Sequence, residues 1–247
     1  MFSSINRPLM SRISERLERV NRTAQAACER SGRNPAEVRI VVVTKSADIE
    51  AIKEVIALGY TDLGENHVQQ LKKVSAQILE MSPKTEPLNP PNIRWHMIGH
   101  LQRNKVKQAL PLTTLVHSVD TLRLAEEISC TAVKMDITVP ILLQVNTSNE
   151  PQKYGVPVGA ATHLAEQIET LPHVSFKGLM TMAPLTRNKE VVRACFARAR
   201  DLFVEMRGEK IVGPQFTELS MGMSSDYEIA IEEGATILRI GSAIFAG

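Results

Sequence analysis

Short runs of β-branched and aliphatic residues alternate with longer amphipathic segments along most of the chain, and this alternation constrains the fold more than any other feature. Apolar runs without polar alternation indicate strands buried on both faces, as in parallel sheets covered by helices. Eight such runs in 247 residues fit a (β/α)8 TIM-like barrel better than an open doubly wound sheet. The runs are VRIVVVT, YTDL, IRWHMIG, LVHSV, VPILLQVN, VSFKGLM, TELSM and TILRIG.

Helix signals lie before and between these runs. Apolar residues spaced four and three apart predict a helix over 10–30, in front of the first strand. Asp48 is placed to cap a helix that continues through Leu58 and ends at Gly59, and another helix is predicted over 66–81. The expected architecture is therefore an α/β barrel with one extra N-terminal helix.

The whole chain, residues 1–247, is expected to form a single domain, with a flexible leader over 1–9. The proline-rich segment 82–92 is short enough to be a surface loop within that domain. Each of the first seven runs is followed by a helical pattern. The eighth is not, since the sequence reaches Gly247 too soon after it for an outer helix. The N-terminal helix is expected to cover the resulting gap.

Composition excludes several classes of protein. Twenty-nine basic and 27 acidic side chains leave a net charge of +2, which is too balanced for a nucleic-acid-binding surface. Cys28, Cys130 and Cys195 show no paired metal-ligand spacing, as is typical of proteins in a reducing compartment. No apolar run approaches the roughly 20 residues of a membrane helix. We therefore expect a soluble cytoplasmic protein that binds neither nucleic acid nor membrane.

Lys45 directly follows the apolar run of the first strand. One interpretation is structural: the aliphatic stem packs while the ammonium group reaches water. The other is chemical: a deprotonated lysine amine at this position acts as a nucleophile. The residues at the ends of the other strands decide which interpretation has support.

The ends of the other strands are polar, and in a barrel of this type all of them meet at one mouth, where active sites lie. The loop SMGMSSDY after the seventh run opens a helical pattern, so its amides and the hydroxyls of Ser224 and Ser225 can hold an anion. Loops after the seventh and eighth strands often bind phosphate in barrels. The alternatives are that the two serines only cap the helix and that Gly241 is a turn glycine.

Two other groups of residues have spacings that could form a metal site or a pair of catalytic carboxylates. His96 and His100 have the spacing of a zinc pair on a helix, but the segment is predicted to be a strand that breaks at Gly99, which disfavours metal binding. His96 is expected to be a hydrogen-bonding group at the mouth. Asp62, Glu65 and Asp120 could include paired carboxylates, but nothing in the sequence fixes their separation, and solvated loop acids are the simpler interpretation.

A reactive lysine on the first strand, opposite a phosphate site on the last two, suggests a phosphorylated carbonyl compound held as a Schiff base. Pyridoxal 5′-phosphate (PLP) fits that description. No metal site is expected.

Seven stretches between Val38 and Phe245 follow one another in a distinctive order and spacing: VVVTKS, LGENHVQQL, IRWHMIGHLQRNKV, VHSVD, LLQVNTSNEPQKYGV, FKGLMTMAP and LSMGMSSDYEIAIEEGATILRIGSAIF. In these stretches the chain resembles the YggS/PROSC family of pyridoxal phosphate homeostasis proteins. The resemblance implies the alanine racemase N-terminal barrel, with the Schiff base on Lys45 and Arg239 near the pyridine nitrogen. The cofactor-binding residues it implies are Lys45, Asn66, His96, Ser220, Gly222, Met223, Ser224, Arg239, Gly241 and Ser242.

The same resemblance implies a protein of PLP homeostasis without established catalysis. A guanidinium beside the pyridine nitrogen disfavours ring protonation, which makes the ring a weaker electron sink. The alternative is a single-domain amino-acid racemase of low activity, with Lys45 as one base and water or His96 as the other. A regulatory module that binds a protein partner is compatible with homeostasis. The expected partners are PLP and acceptor apo-enzymes, and the expected state is a monomer.

Overall fold

Eight parallel strands close into a barrel in the computed structural model, which describes residues 11–81, 93–148, 150 and 152–246. The predicted leader and the predicted loop over 82–92 lie outside these residues. Around the barrel the order is β1, β2, β3, β4, β5, β7, β8 and β9, and β9 pairs with β1. The strands are β1 (Arg39–Val43), β2 (Asp62–Glu65), β3 (Arg94–Met97), β4 (Leu115–Val119), β5 (Val139–Asn146), β7 (Val174–Met180), β8 (Glu218–Ser220) and β9 (Ile237–Ile240), with a short β6 (Val156–Pro157) paired to β5.

All eight predicted strands are present, so the α/β barrel is confirmed. The α-helices are α1 (Arg12–Arg30), α2 (Ile49–Ala57), α3 (Val68–Met81), α4 (Val106–Ala109), α5 (Leu122–Met135), α6 (Val158–Glu169), α7 (Lys189–Gly208), α8 (Tyr227–Glu232) and α9 (Ser242–Phe245). Short 3-10 helices cover Pro35–Glu37, Arg103–Lys105 and Leu110–Leu112.

Helix boundaries follow the predicted signals with small shifts. Asp48 caps α2 by accepting a 2.8 Å hydrogen bond from the backbone N–H of Ala51, and Gly59 follows the helix with φ +91°. The first helix begins at Arg12 rather than Met10 because the Ser11 side chain accepts from the N–H of Ser14 and caps it. The third helix begins two residues later than predicted.

The N-terminal helix covers the open side of the barrel, as predicted, by packing on α8 and α9. Its buried face includes Leu17, Val20 and Ala27. Arg16 donates a 3.1 Å hydrogen bond to the carbonyl of Ile244 in α9. The eighth strand is thus followed by one helical turn, which the sequence did not predict, and α1 supplies the rest of the covering layer.

The core has two layers. A small apolar cluster lies inside the barrel, and a larger one lies between the strands and the helices. The inner cluster consists of Val41, Leu115, Leu142, Met180 and Ile237, each at most 5% exposed. Burial of such a side chain contributes about 1.5–3 kcal/mol. The rest of the barrel interior is polar, and the functional site is built above it.

Candidate functional site

A cavity of about 530 Å³ opens at the carboxyl ends of the strands. Lys45 reaches it from the end of β1, where its side chain is exposed, and Asn66 reaches it from the end of β2. The turn after β8 and the residues after β9 form another part of the lining. Of the predicted cofactor-binding residues, the cavity lining includes Lys45, Asn66, Met223, Ser224, Arg239, Gly241 and Ser242.

The turn after β8 is tied to the end of β9 through Ser224. Its Oγ accepts hydrogen bonds from the backbone N–H groups of Gly241 at 3.3 Å and Ala243 at 3.1 Å. The N-cap residue of α8 is Asp226, so Ser224 does not cap that helix. Ser224 Oγ thus takes up these two N–H groups, and its hydroxyl can in turn donate its own proton to an anionic oxygen in the cavity.

Gly222 does not line the cavity, although it was predicted to hold the ligand. It has φ +89°, and a Cβ built on it would lie 2.5 Å from the Cβ of Ala230 in α8. The glycine therefore lets the turn pass close to α8. Asp226 stabilises the same turn by accepting a 2.6 Å hydrogen bond from the N–H of Met223.

Arg239 forms the buried end of the cavity and is only 4% exposed. Its Nη1 donates to the hydroxyl of Ser220 at 2.7 Å and its Nη2 donates to the carbonyl of Thr181 at 2.8 Å. Burial lowers the pKa of Arg239 to about 10, an effect that the charge of Asp226 partly opposes. The guanidinium thus remains a cation at neutral pH and presents a positive charge to whatever occupies the cavity.

His96 and Ser220 lie in the barrel interior rather than on the cavity lining. His96 belongs to β3 itself, so its side chain points into the barrel instead of projecting from the strand end. Its Nδ1 lies 2.9 Å from His117 Nε2, and its Nε2 lies 2.9 Å from Asp62 Oδ1. Ser220 Oγ lies 2.9 Å from His117 Nδ1. Hydrogen bonds connect both residues, through His117 and Ser220 Oγ, to Arg239 on the cavity lining.

Tyr154 and His100 form the rim of the cavity, and neither was predicted as a site residue. Their rings stack with centroids 4.4 Å apart, and His100 Nδ1 lies 3.4 Å from Asp120 Oδ2. The pair also borders an adjoining cavity of about 470 Å³. Tyr154 precedes β6, a strand too short for any sequence pattern to reveal, so no signal could have placed it here.

The structure does not bring His96 and His100 together as a zinc pair, and it gives Asp62, Glu65 and Asp120 different partners. His96 is buried while His100 lies on the rim, and the described residues contain no group of three or more potential metal ligands. Asp62 and Glu65 are buried residues of β2, so the interpretation of solvated loop acids is wrong for them. Glu65 accepts a 2.5 Å hydrogen bond from Thr44 Oγ1, and burial raises its pKa.

The buried histidines predict a pH dependence of stability. Burial lowers the pKa of His96 and lowers that of His117 further, so both stay neutral in the folded state, while their unfolded pKa is about 6.5. Below that pH the unfolded state binds protons that the folded state does not. Stability should fall between pH 7 and pH 5.5, by up to about 1.4 kcal/mol per pH unit for each histidine.

Urea unfolding at pH 7.0, 6.5, 6.0 and 5.5 measures this slope. The variant His163→Gln is the control, because His163 on α6 is exposed in both states, and its slope should equal that of the wild type. A free energy of unfolding that stays constant over this range would contradict the prediction.

The described part of the chain contains no helix with the length and apolarity needed to cross a membrane.

The family model "Alanine racemase, N-terminal domain" matches residues 16–247. A pyridoxal phosphate homeostasis protein of Aquifex aeolicus is 41% identical over 231 residues, which cover 94% of this chain and 96% of that protein.

Two solved structures are similar at comparable identity. An unknown protein from Bifidobacterium adolescentis has a TM-score of 0.86 and 36% identity, covering 95% of this chain and 94% of that one. PipY of Synechococcus elongatus, with PLP bound, has a TM-score of 0.76 and 31% identity, covering 91% of this chain and 100% of PipY. The chain belongs to the family of pyridoxal phosphate homeostasis proteins, which share the alanine racemase N-terminal barrel.

Proposed function

We propose that this protein binds PLP in the cavity at the carboxyl end of the barrel, holds it as a Schiff base on Lys45, and serves intracellular PLP homeostasis without catalysing a reaction of its own. One observation carries the proposal: a single cavity is lined by a primary amine, a turn with converging N–H groups and a buried guanidinium. The PLP bound to PipY supports it, because the two proteins share the barrel.

The residues present fit the chemistry of PLP. The phosphate would lie against Ser224 of the turn after β8 and against Gly241 and Ser242 after β9, with the Ser224 hydroxyl, which accepts two backbone N–H groups, donating its proton to it. Bound PLP supplies an aldehyde that condenses reversibly with an amine. Lys45 provides that amine from β1, which neighbours β9 in the barrel.

Arg239 supports the absence of catalysis. A guanidinium can only donate hydrogen bonds, and next to the pyridine nitrogen its positive charge disfavours protonation of the ring. The racemase alternative needs a second base on the opposite side of the ligand. His96 was the side chain considered for that role, but it does not line the cavity and both its ring nitrogens have partners inside the barrel.

The open mouth suits exchange with acceptors. Lys45 is exposed, and the rim residues Leu185 and Tyr154 are 98% and 58% exposed. The proposal therefore includes a cytoplasmic monomer that forms one domain and passes PLP to acceptor apo-enzymes. Because the Schiff base is reversible, occupancy would follow the free PLP concentration by mass action.

The direct test is borohydride reduction of the PLP-loaded protein, followed by peptide mass mapping. We expect a pyridoxyl group on Lys45, together with a visible absorption band that reduction removes. A reduced adduct on another lysine would move the site away from the cavity. A protein that shows neither band nor adduct after incubation with PLP would refute the proposed function.

Ser224→Ala tests the phosphate site. The loss of one hydrogen bond to a charged group, about 1.5 kcal/mol, should weaken PLP binding by about tenfold. The affinity for pyridoxal, which has no phosphate, should not change. Fluorescence or absorbance titration with both ligands measures the two affinities, and an equal loss for both would show that Ser224 supports the turn without contacting the phosphate.

A further inference from the structure

A continuous line of polar side chains crosses the barrel interior from the amino end of the strands to Arg239. Its members are Asp62 on β2, His96 on β3, His117 on β4, Ser220 on β8 and Arg239 on β9. Successive polar atoms lie 2.9, 2.9, 2.9 and 2.7 Å apart, and each residue is at most 6% exposed. These groups are thus shielded from bulk water, and each must satisfy its hydrogen bonds with other protein groups.

The two ends of the line set the direction in which hydrogen bonds are donated along it. A guanidinium only donates hydrogen bonds and an ionised carboxylate only accepts them, so every group between Arg239 and Asp62 must accept on one side and donate on the other. Ser220 accepts from Arg239 and donates its proton to His117 Nδ1. His117 then donates from Nε2 to His96 Nδ1, and His96 donates from Nε2 to Asp62.

We propose that His117 and His96 are positioning residues for Arg239: as neutral Nε2–H tautomers they keep the lone pairs of Ser220 turned towards Arg239 and hold its guanidinium at the buried end of the cavity. The hydrogen-bonded line itself belongs to the protein without ligand. Only its effect on bound PLP rests on the proposed function.

Asp62 is held ionised at the far end. Arg94 donates to both carboxylate oxygens, at 2.8 Å from Nε to Oδ1 and through a second bond from Nη2 to Oδ2. Burial raises the pKa of Asp62, but the hydrogen bonds from His96 and Arg94 outweigh it and hold the pKa well below its usual range. A permanent acceptor therefore ends the line.

The opposite direction would require a charged histidine. If His117 donated from Nδ1, its bare Nε2 would need a proton from His96 Nδ1, while His96 must still donate from Nε2 to Asp62. His96 would then be an imidazolium. Burial lowers the pKa of His96, and the charges of Arg39 and Arg94 act in the same sense, although Asp62 opposes them. The neutral line is therefore the stable one.

Arg239 needs such support because no carboxylate of the described residues forms an ion pair with it. Its hydrogen bonds go to two neutral oxygens, those of Ser220 and Thr181. The oriented line connects this buried cation to the carboxylate of Asp62 through aligned dipoles. Loss of the line would leave the guanidinium free to turn, although it would keep its charge.

Two-bond ¹H–¹⁵N NMR of the ¹⁵N-histidine-labelled full chain without ligand tests the tautomers directly. At pH 7.5 we expect His96 and His117 to be neutral with the proton on Nε2, and both signals are assigned by their loss in His96→Gln and His117→Asn. A proton on Nδ1 of either residue, or an imidazolium, would overturn the proposal even if PLP never bound.

The loaded protein tests the consequence for Arg239. His117→Phe should shift the pH titration of the bound chromophore and speed PLP release by about tenfold, whereas His117→Asn, which can accept and donate, should recover part of the effect. Ser220→Ala breaks the line at another point and replaces His117→Phe if that variant does not fold. His163→Gln is the control. Wild-type titration and release in both line-breaking variants would overturn the positioning role, whereas a wild-type chain that takes up no PLP would refute only the proposed function.

Discussion

Lys45→Ala should abolish covalent retention of PLP. In the proposed complex this residue would supply the one bond that survives dilution and gel filtration, since the other contacts to the ligand would be non-covalent hydrogen bonds and packing. We expect the visible band to be absent, no borohydride-stable adduct in the cavity, and PLP affinity to fall by at least about tenfold, or about 1.4 kcal/mol. Absorbance after gel filtration and mass mapping provide the measurement.

Two further variants are controls. One tests whether the charge of Lys45 is sufficient without its primary amine, and the other tests whether the effect is specific to Lys45 among the lysines. Lys45→Arg keeps the positive charge at the end of β1 but cannot form a Schiff base, so it should also lack the band. Lys53→Ala removes a lysine on α2 that pairs with Glu50 and does not line the cavity, so it should behave like the wild type. Retention of the band in Lys45→Arg would show that another amine carries the ligand.

Gly178→Ala should strongly destabilise the barrel, because a methyl group there meets the closest contact of any described glycine. Gly178 lies in β7 with φ +154°, and a Cβ built on it would lie 1.7 Å from the carbonyl oxygen of Glu218 in β8. That oxygen belongs to the backbone, so a side-chain rotation cannot relieve the overlap. The pairing of β7 with β8, in which Gly178 is opposite Glu218, must therefore shift.

We expect a loss of at least about 3 kcal/mol in the free energy of unfolding, from backbone strain and broken strand pairing together. Urea unfolding followed by circular dichroism measures it. Gly159→Ala is the matched control: Gly159 lies in α6 with nothing within 4 Å of its Cβ position, so the same substitution should stabilise by about 0.4–1 kcal/mol. Similar effects at the two positions would show that the close approach to Glu218 is not what requires glycine.

Much of the fold follows from local sequence patterns, and the structure shows why. The strand over Arg39–Val43 can be predicted because all its residues after Arg39 are apolar, on both faces, and the helix after Asp48 can be predicted because its cap is a local hydrogen bond. Lys45 and Ser224 could be placed at the mouth, where both line the cavity, because they come just after strand patterns and strand ends meet at one mouth.

The misplaced and missed residues depend on contacts between distant parts of the chain. His96 was expected at the mouth because it lies near Gly99, yet its position is decided by partners on β2 and β4. Tyr154 lies at the rim because its ring stacks on His100, 54 residues earlier in the sequence, which no local pattern encodes. Side-chain direction within a strand and cross-barrel pairing are properties of the closed structure, so they cannot be predicted from periodicity alone.

The contact of the first helix with the last elements has a consequence for synthesis on the ribosome. Arg16 of α1 donates to the carbonyl of Ile244, 228 residues later, and β1 pairs with β9. Until β9 leaves the ribosome, one edge of β1 has no partner, and the buried face of α1 lacks its contacts with α8 and α9 until those helices are made. Such long-range contacts slow folding and leave unpaired edges open to aggregation. The nascent chain must therefore keep its first strand soluble until β9 has been made.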